Sequence, residues 1–259
     1  MFKYPKKFTD RVQAKLKAFQ ALANRHRTKD VSEADTVTLI KDVLSEVFGY
    51  DKYVELTSEQ QIRGTYCDLA VKVDGTMKFL IEAKSAGTDL NNNHLRQAVN
   101  YGAHQGLEWV ILTNAIDWRV YRLKFAQPID WEEVLAFTFT DLSAKSEDDL
   151  CRMFLLSREG VAVNAVTTFY QHAQLLNPHN VAHVIRSEPV VAAIRREMRR
   201  LFPDLRVSPE QLEQMLVTSI LKRELVEGDK HEEARQRVRK AAQKLARAAK
   251  KESATVEPA

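Results

Sequence analysis

Cysteine is nearly absent: Cys67 and Cys151 are the only two in 259 residues. One falls in a strand pattern and the other in a helical one, so a disulfide scaffold fits poorly and a reducing compartment fits well. No apolar run approaches the ~18 residues needed to cross a membrane. The opening MFKYPKKFTD lacks the apolar middle of a secretion signal. The expectation is a soluble cytoplasmic protein with no membrane partner. Seven histidines are scattered, and no Cys/His spacing suits zinc. Haem and nucleotide cofactors find no support either. No G-x-x-x-x-G-K-[ST] run occurs, so ATP-driven translocation is not coded in this chain. No internal repeat is visible.

What is present is a chain long enough for one large domain, or one domain with a smaller companion. At 44% hydrophobic residues it can bury a core. A net charge of +4 and a pI near 8.9 permit a nucleic-acid partner without demanding one.

The most informative stretch is Tyr66 to Lys84, YCDLAVKVDGTMKFLIEAK. Cys67 to Val73 alternates, with Leu69, Val71 and Val73 on one face and Asp68, Ala70 and Lys72 on the other. Asp74-Gly75 is a two-residue turn signal, since a type I′ turn needs positive φ. The return strand, Met77 to Lys84, sets Phe79, Ile81 and Ala83 against Leu80, Glu82 and Lys84. Side chains two apart on a strand stand about 6.6 Å apart at the base, so Glu82 and Lys84 can lean to one point. With Asp68 alongside, two carboxylates and an ammonium share a mostly apolar face, which is costly unless compensated. A salt bridge of Lys84 to the acids at an exposed edge is the plainer account.

Phe8 to Asn24 reads as a basic amphipathic helix that packs on the core. A DNA-facing role for Lys15, Lys17, Arg25 and Arg27 is the alternative. A second helix opens at Ser32, with Val37, Ile40, Val43, Leu44, Val47 and Phe48 as its stripe and Gly49 as its stop. Glu33 in its first turn complements the helix dipole or belongs to a site. Tyr53 to Ile62 is expected to be the first strand, joined to the hairpin through Arg63-Gly64. A polar loop of the flexible kind, SAGTDLNNN, follows Lys84. His94 to Ala103 resumes helical spacing, with Gln97 and Tyr101 on one face. Trp109–Thr113 and Trp118–Leu123 are two further strands around a turn at 114–117. Everything after Asp141 reads as helical, including 164–176, 187–202 and a helix capped by Ser208, Pro209 and Gln211 that runs to Val226. Residues 228–251 are rich in Arg, Lys and Ala. They form a solvated helix or a tail that contacts phosphates, then fray into ESATVEPA. The expected divisions are a basic helix at 1–29, an α/β domain at 30–140, a helical region at 141–227 and a basic tail at 228–259.

Taken in order, Glu33 in SEADTVTLIKDVL, Asp68 in YCDLAV, Glu82-Ala83-Lys84 in LIEAK and Gln97-Ala98-Val99-Asn100-Tyr101 resemble the PD-(D/E)XK nuclease superfamily. They look most like the nuclease domain at the start of type I restriction enzyme R subunits and its stand-alone relatives. The run ILTNAIDWRVY is similar to that family's strand pair after the Gln helix. The resemblance covers residues 30 to 125. It departs from the family at Cys67, where Pro is usual, and in lacking a helicase motor; residues 141–259 match no motif.

The resemblance implies an α/β, restriction-endonuclease-like mixed sheet flanked by helices, followed by a smaller all-helical region. It implies a Mg²⁺- or Mn²⁺-dependent DNA endonuclease, tied to restriction or to a phage or prophage. Asp68, Glu82 and the Ala83 carbonyl would bind the metal. Lys84 would orient or deprotonate the attacking water. Glu33 would hold a metal-bound water or a second ion, and Gln97 and Tyr101 would position DNA or the metal shell. Glu59 is a further acid, for a second ion or merely on a strand surface. Two other classes compete: a catalytically silent DNA-binding module, and a protein that recruits a partner through its helical C-terminal half. A homodimer would suit cutting both strands.

Overall fold

Between Val73 and Thr76 the chain reverses over Asp74 and Gly75, with φ of 51° and 74°. Two positive φ values make the type I′ turn, whose twist matches the strands it joins. Those strands are β2 (Thr65–Val73) and β3 (Thr76–Ala83), the expected hairpin. The computed structural model describes the backbone of residues 2–29, 31–62 and 65–254, with side chains at 59–62, 65, 66, 246 and 248–254 outside the description. The expected Arg63-Gly64 link, the Glu59 carboxylate and the end of the tail, residues 255–259, therefore lie outside the described residues.

The hairpin sits in a six-stranded mixed sheet of order β1-β2-β3-β4-β5-β6, an α/β arrangement. Here β1 is Leu56–Ile62, β4 Trp109–Thr113, β5 Asp117–Lys124 and β6 Asp130–Thr138. Strands β3 and β4 run parallel, and the remaining neighbours are antiparallel. A parallel pair needs a crossover, which α3 (Asn92–Gln105) supplies.

Two strands differ from expectation. Strand β1 starts at Leu56 rather than Tyr53, because Asp51 Oδ1 accepts the Tyr53 and Val54 N–H groups and holds a turn there. Strand β6 was not foreseen: Glu132 and Glu133 interrupt its apolar pattern, and only Leu135 and Phe137 of this edge strand are buried. An edge needs only one packed face, so its signal is weak.

Alternation gives the sheet two apolar faces. Leu69, Val71, Phe79, Ile81, Ile111 and Val120 pack under α1 (Lys6–Thr28) and α2 (Glu33–Glu46). Ala70, Leu80, Val110, Leu112 and Leu123 pack under Leu95, Ala98, Val99 and Tyr101 of α3. Each fully buried aliphatic side chain contributes about 1.5–3 kcal/mol, so both layers matter.

The divisions expected at 29/30 and near 141–150 do not coincide with the two compact units, Met1–Tyr170 and Gln171–Ala259. Helix α1 buries Phe8, Val12, Leu16 and Ala23, and Gln20 Nε2 donates to the carbonyls of Phe139 and Leu142 at 2.9 and 2.8 Å. At the other end, α4 (Glu147–Leu156) and α5 (Arg158–Ala162) bring Met153, Phe154, Leu155, Leu156 and Val161 into the same core. The Phe154 ring meets Phe8 edge-on at 5.3 Å. The apolar layer, rather than the change of secondary structure, sets the boundary.

In the second unit, α6 (Ala165–Leu175) crosses the division and leads to α7 (Pro178–Ile185), α8 (Glu188–Leu201) and α9 (Pro209–Met215). The capping box at Ser208 and Gln211 forms as expected. The helix does not reach Val226, however. It widens into a π turn over Leu216–Ile220, where β-branched Val217, Thr218 and Ile220 disfavour helical continuation. The final helix, α10, is Asp229–Ala254.

One clamp closes the first unit. The Arg11 guanidinium donates to Glu159 at 2.8 and 2.6 Å and to the carbonyls of Val47 and Phe48. Gly49, at φ 87°, lies where a Cβ would strike that guanidinium. Gly49→Ala therefore combines backbone strain with displacement of a half-buried ion pair. It is expected to lower stability by about 2–4 kcal/mol in urea unfolding. A loss below about 1 kcal/mol would refute the clamp.

Candidate active site

The sheet opens into a fork. Leu69 pairs with Ile81, but beyond them β2 and β3 part. Cys67 and Tyr66 pair with Gln60 and Gln61 of β1, whereas Glu82 and Ala83 pair with Leu112 and Thr113 of β4. Parted strands leave ladder groups without partners, and buried N–H groups must find others. Asp68 answers this: its Oδ2 accepts the Ala83 N–H at 2.7 Å, bridging the two arms.

Glu82 lies on the other arm and is fully buried. Its Oε1 accepts from Lys84 Nζ at 2.7 Å, but its Oε2 is buried with no hydrogen-bond partner. Lys84 Nζ also lies 3.6 Å from Glu33 Oε2, and the Lys84 N–H donates to the Thr113 carbonyl at 2.9 Å. Burial pushes the Glu82 carboxyl up to about 7: the Lys84 hydrogen bond opposes this, and the nearby charges of Asp68 and Glu33 add to it. Burial works to lower Lys84, but its bond to Glu82 and the charges of Glu82, Glu33 and Asp68 hold it above the ordinary value. A carboxylate with an unmet oxygen in a dry site is an unstable arrangement by itself.

The structure thus brings Asp68, Glu82, Ala83, Lys84 and Glu33 together. Ser32 caps α2 as expected, accepting the Asp35 N–H, and so sets Glu33 in the first turn. Thr36, fully buried, accepts the Ala86 N–H at 3.2 Å and ties that turn to the segment after β3. Its part was missed, although a polar residue four before Ile40 in the apolar stripe is a visible signal. The loop after Lys84 is tied down rather than loose. Ser85 and Thr88 hydroxyls meet at 2.7 Å, Asn114 Nδ2 donates to the Thr88 carbonyl, and Ala86 and Leu90 are buried.

The joint placing of Gln97 and Tyr101 needs correction. Gln97 and Tyr101 are four apart, yet Gln97 is exposed while Tyr101 is buried in the α3 layer beside Cys67. The Tyr101 hydroxyl is buried with no partner, so it makes no hydrogen bond to the fork. Residues 40° apart around a helix can straddle the edge of its buried stripe. Glu33, expected to hold a metal-bound water or a second ion, has its carboxylate 3.6 Å from Lys84 Nζ.

A cavity of about 340 Å³ opens beside the fork, lined by Glu33, Ala34, Val37, Thr38, Lys41, Ser58 and Asp68. Asp68 lines this cavity, and with the Glu82 carboxylate and the Ala83 carbonyl it would offer oxygen donors of the kind a hard cation takes. The unmet Glu82 Oε2 is the observation in favour of such an ion. Among the described residues no three His, Cys, Asp or Glu side chains form a ligand group. Water and substrate oxygens would have to complete the shell, as magnesium commonly requires.

Comparison with protein-family models, curated proteins and solved structures found no match.

The raised Glu82 carboxyl carries a stability consequence. The folded state holds this proton up to about pH 7, whereas the unfolded state releases it near 4.5. Stability therefore falls as pH rises through that window. In chelator, Glu82→Gln is expected to stabilise the protein by about 1–3 kcal/mol at pH 8 and far less at pH 5. Equal effects at both pH values, measured by thermal unfolding, would contradict the burial of an ionising carboxyl here.

Proposed function

We propose that the fork is the hydrolytic centre of a Mg²⁺- or Mn²⁺-dependent deoxyribonuclease. In this reading the α/β unit is a restriction-endonuclease-like domain of the PD-(D/E)XK superfamily, akin to the nuclease domain of type I restriction R subunits. The enzyme would act in the cytoplasm as an endonuclease of a restriction or prophage system. The observation that carries the reading is the buried, unpartnered Glu82 Oε2 beside Asp68 and Lys84. The order of Glu33, Asp68, Glu82 and Lys84 on their elements supports it.

Asp68, Glu82 and the Ala83 carbonyl would hold the ion. When bound, it would neutralise charge on the phosphate and make a coordinated water more acidic. Lys84 would orient an attacking water and stabilise negative charge as the phosphorus becomes five-coordinate. Glu33 steadies Lys84 from the helix side. Asp68, by holding the Ala83 N–H, keeps both arms at one separation. Gln97, exposed on α3, would contact DNA in this reading.

A second reading, the catalytically silent DNA-binding module, draws on one observation: Lys84 is already shared between Glu82 and Glu33. Partner recruitment through the second unit is the third. Calorimetry with Mg²⁺ and Mn²⁺, alongside a DNA-cleavage gel, separates them. Wild type is expected to bind metal and cut, and Glu82→Ala to lose both. Asp68→Ala should lower cleavage by at least about 10²-fold, and Lys84→Ala by about 10²–10⁴-fold, with circular dichroism unchanged. Salt-sensitive DNA retention without cutting selects the silent module, and indifference to DNA selects the recruiter.

A further inference from the structure

Charge is divided unevenly along the chain. Residues 1–170 carry 22 Lys and Arg against 23 Asp and Glu, whereas residues 171–259 carry 17 against 12. The excess concentrates in α10. From Ala234 to Lys251 there is no acidic residue, but there are eight cations: Arg235, Arg237, Arg239, Lys240, Lys244, Arg247, Lys250 and Lys251.

The structure sorts these cations. Arg235 pairs with Glu232, and Arg237 donates to the Gln174 carbonyl. Arg239, Lys240, Lys244 and Arg247 are exposed and have no ion pair among the described residues. Lys240, Lys244 and Arg247 follow the i, i+4, i+7 spacing of a single helix row, and Arg239 flanks it. The row from Arg239 to Arg247 spans about 12 Å.

The packing of this helix also changes along its length. Ala234 is buried and Val238 half-buried, but every residue described from Arg239 to Leu245 is exposed, Leu245 by 73%. A helix exposed all round usually relies on opposite-charge i, i+4 pairs. Here Lys240 and Lys244 are like charges at that spacing, with no acid between Ala234 and Lys251. The segment has the propensity to be helical, but it lacks the anions that would relieve its self-repulsion.

We infer that the Arg239–Arg247 ridge of α10 is a nucleic-acid docking surface that grips the phosphate backbone without reading base sequence. Phosphate contacts require only cations at regular spacing. A protein partner would require an apolar or aromatic anchor, and the ridge has none. A membrane surface would require a broad face of large apolar side chains. Opposite the ridge stand Ala234, Val238, Ala241 and Leu245. This inference stands apart from the cleavage reading, because the ridge would hold DNA whether or not the fork cuts it.

The test uses the full chain with Glu82→Gln, so that cleavage cannot intrude, and a fluorescent duplex of about 20 base pairs. Anisotropy titrations between about 50 and 200 mM salt compare it with a version also carrying Arg239→Gln, Lys240→Gln, Lys244→Gln and Arg247→Gln. A control replaces Lys3, Lys7, Lys29 and Lys145 by Gln, giving the same net charge from exposed sites elsewhere. The ridge variant is expected to lose about 10²-fold or more in affinity and to flatten the salt slope by about 3–4. The control should bind nearly as the parent does. Glutamine keeps helix propensity, and matching thermal unfolding excludes a folding defect. Equal losses in both variants, or none in the ridge variant, overturn the inference. So does a parent that ignores the duplex but binds phosphatidylserine vesicles.

Discussion

The first unit turns on the parting of β2 and β3 beyond Leu69 and Ile81. A continuous ladder would have spent the Ala83 N–H on its neighbour strand and left no room between the arms. Because the arms part, a side-chain carboxylate takes the ladder's place, and Asp68 is locked to the backbone that carries Glu82 and Lys84. The geometry of these charged groups is thus inherited from main-chain hydrogen bonding, the most rigid element available. Lys84 is anchored likewise, through its own N–H on Thr113 of β4. Only Glu33 comes from elsewhere, and Thr36 on Ala86 ties its helix to the same region.

The same arrangement places an acid where water is scarce. Glu82 gains one good bond, from Lys84, and forgoes the solvation of its second oxygen. A core that only had to be stable would carry an apolar residue there, as Leu80 does two positions earlier. Among the described residues of the sheet Glu82 is the one fully buried charge, and local rule-breaking of this kind is characteristic of functional positions. The two helical layers make this tolerable, since their aliphatic contacts far exceed the cost of one carboxyl.

Much of this was legible in the residues, for identifiable reasons. The hairpin was readable because Asp74-Gly75 dictates its turn and strict alternation dictates its faces. The α2 cap was readable because Ser32 and Asp35 carry it in their chemistry. Strand β6 was not, since an edge strand with Glu132 and Glu133 needs few apolar positions. The unit boundary was not, because Phe154 and Leu156 differ from other helical apolar residues only in what they touch. Gln97 and Tyr101 illustrate a further limit. Spacing fixes that two side chains share a direction, but not which of them falls under the sheet. The unmet oxygen of Glu82 could not be read at all, since it depends on every neighbour that fails to reach it.

The turn at Asp74-Gly75 has a kinetic side. Asp68, Glu82 and Lys84 lie within one hairpin, so their meeting requires only a short loop closure. The parallel partner β4 must wait for the chain to return through α3, a contact of much longer sequence separation. Contacts of short separation cost less entropy, so the three charges can come together while still hydrated. The desolvation of Glu82 then falls to the later docking of β4, whose Leu112 lies opposite it. Substitutions in that strand, at Leu112 for instance, would govern how dry the acid becomes without disturbing how it was assembled.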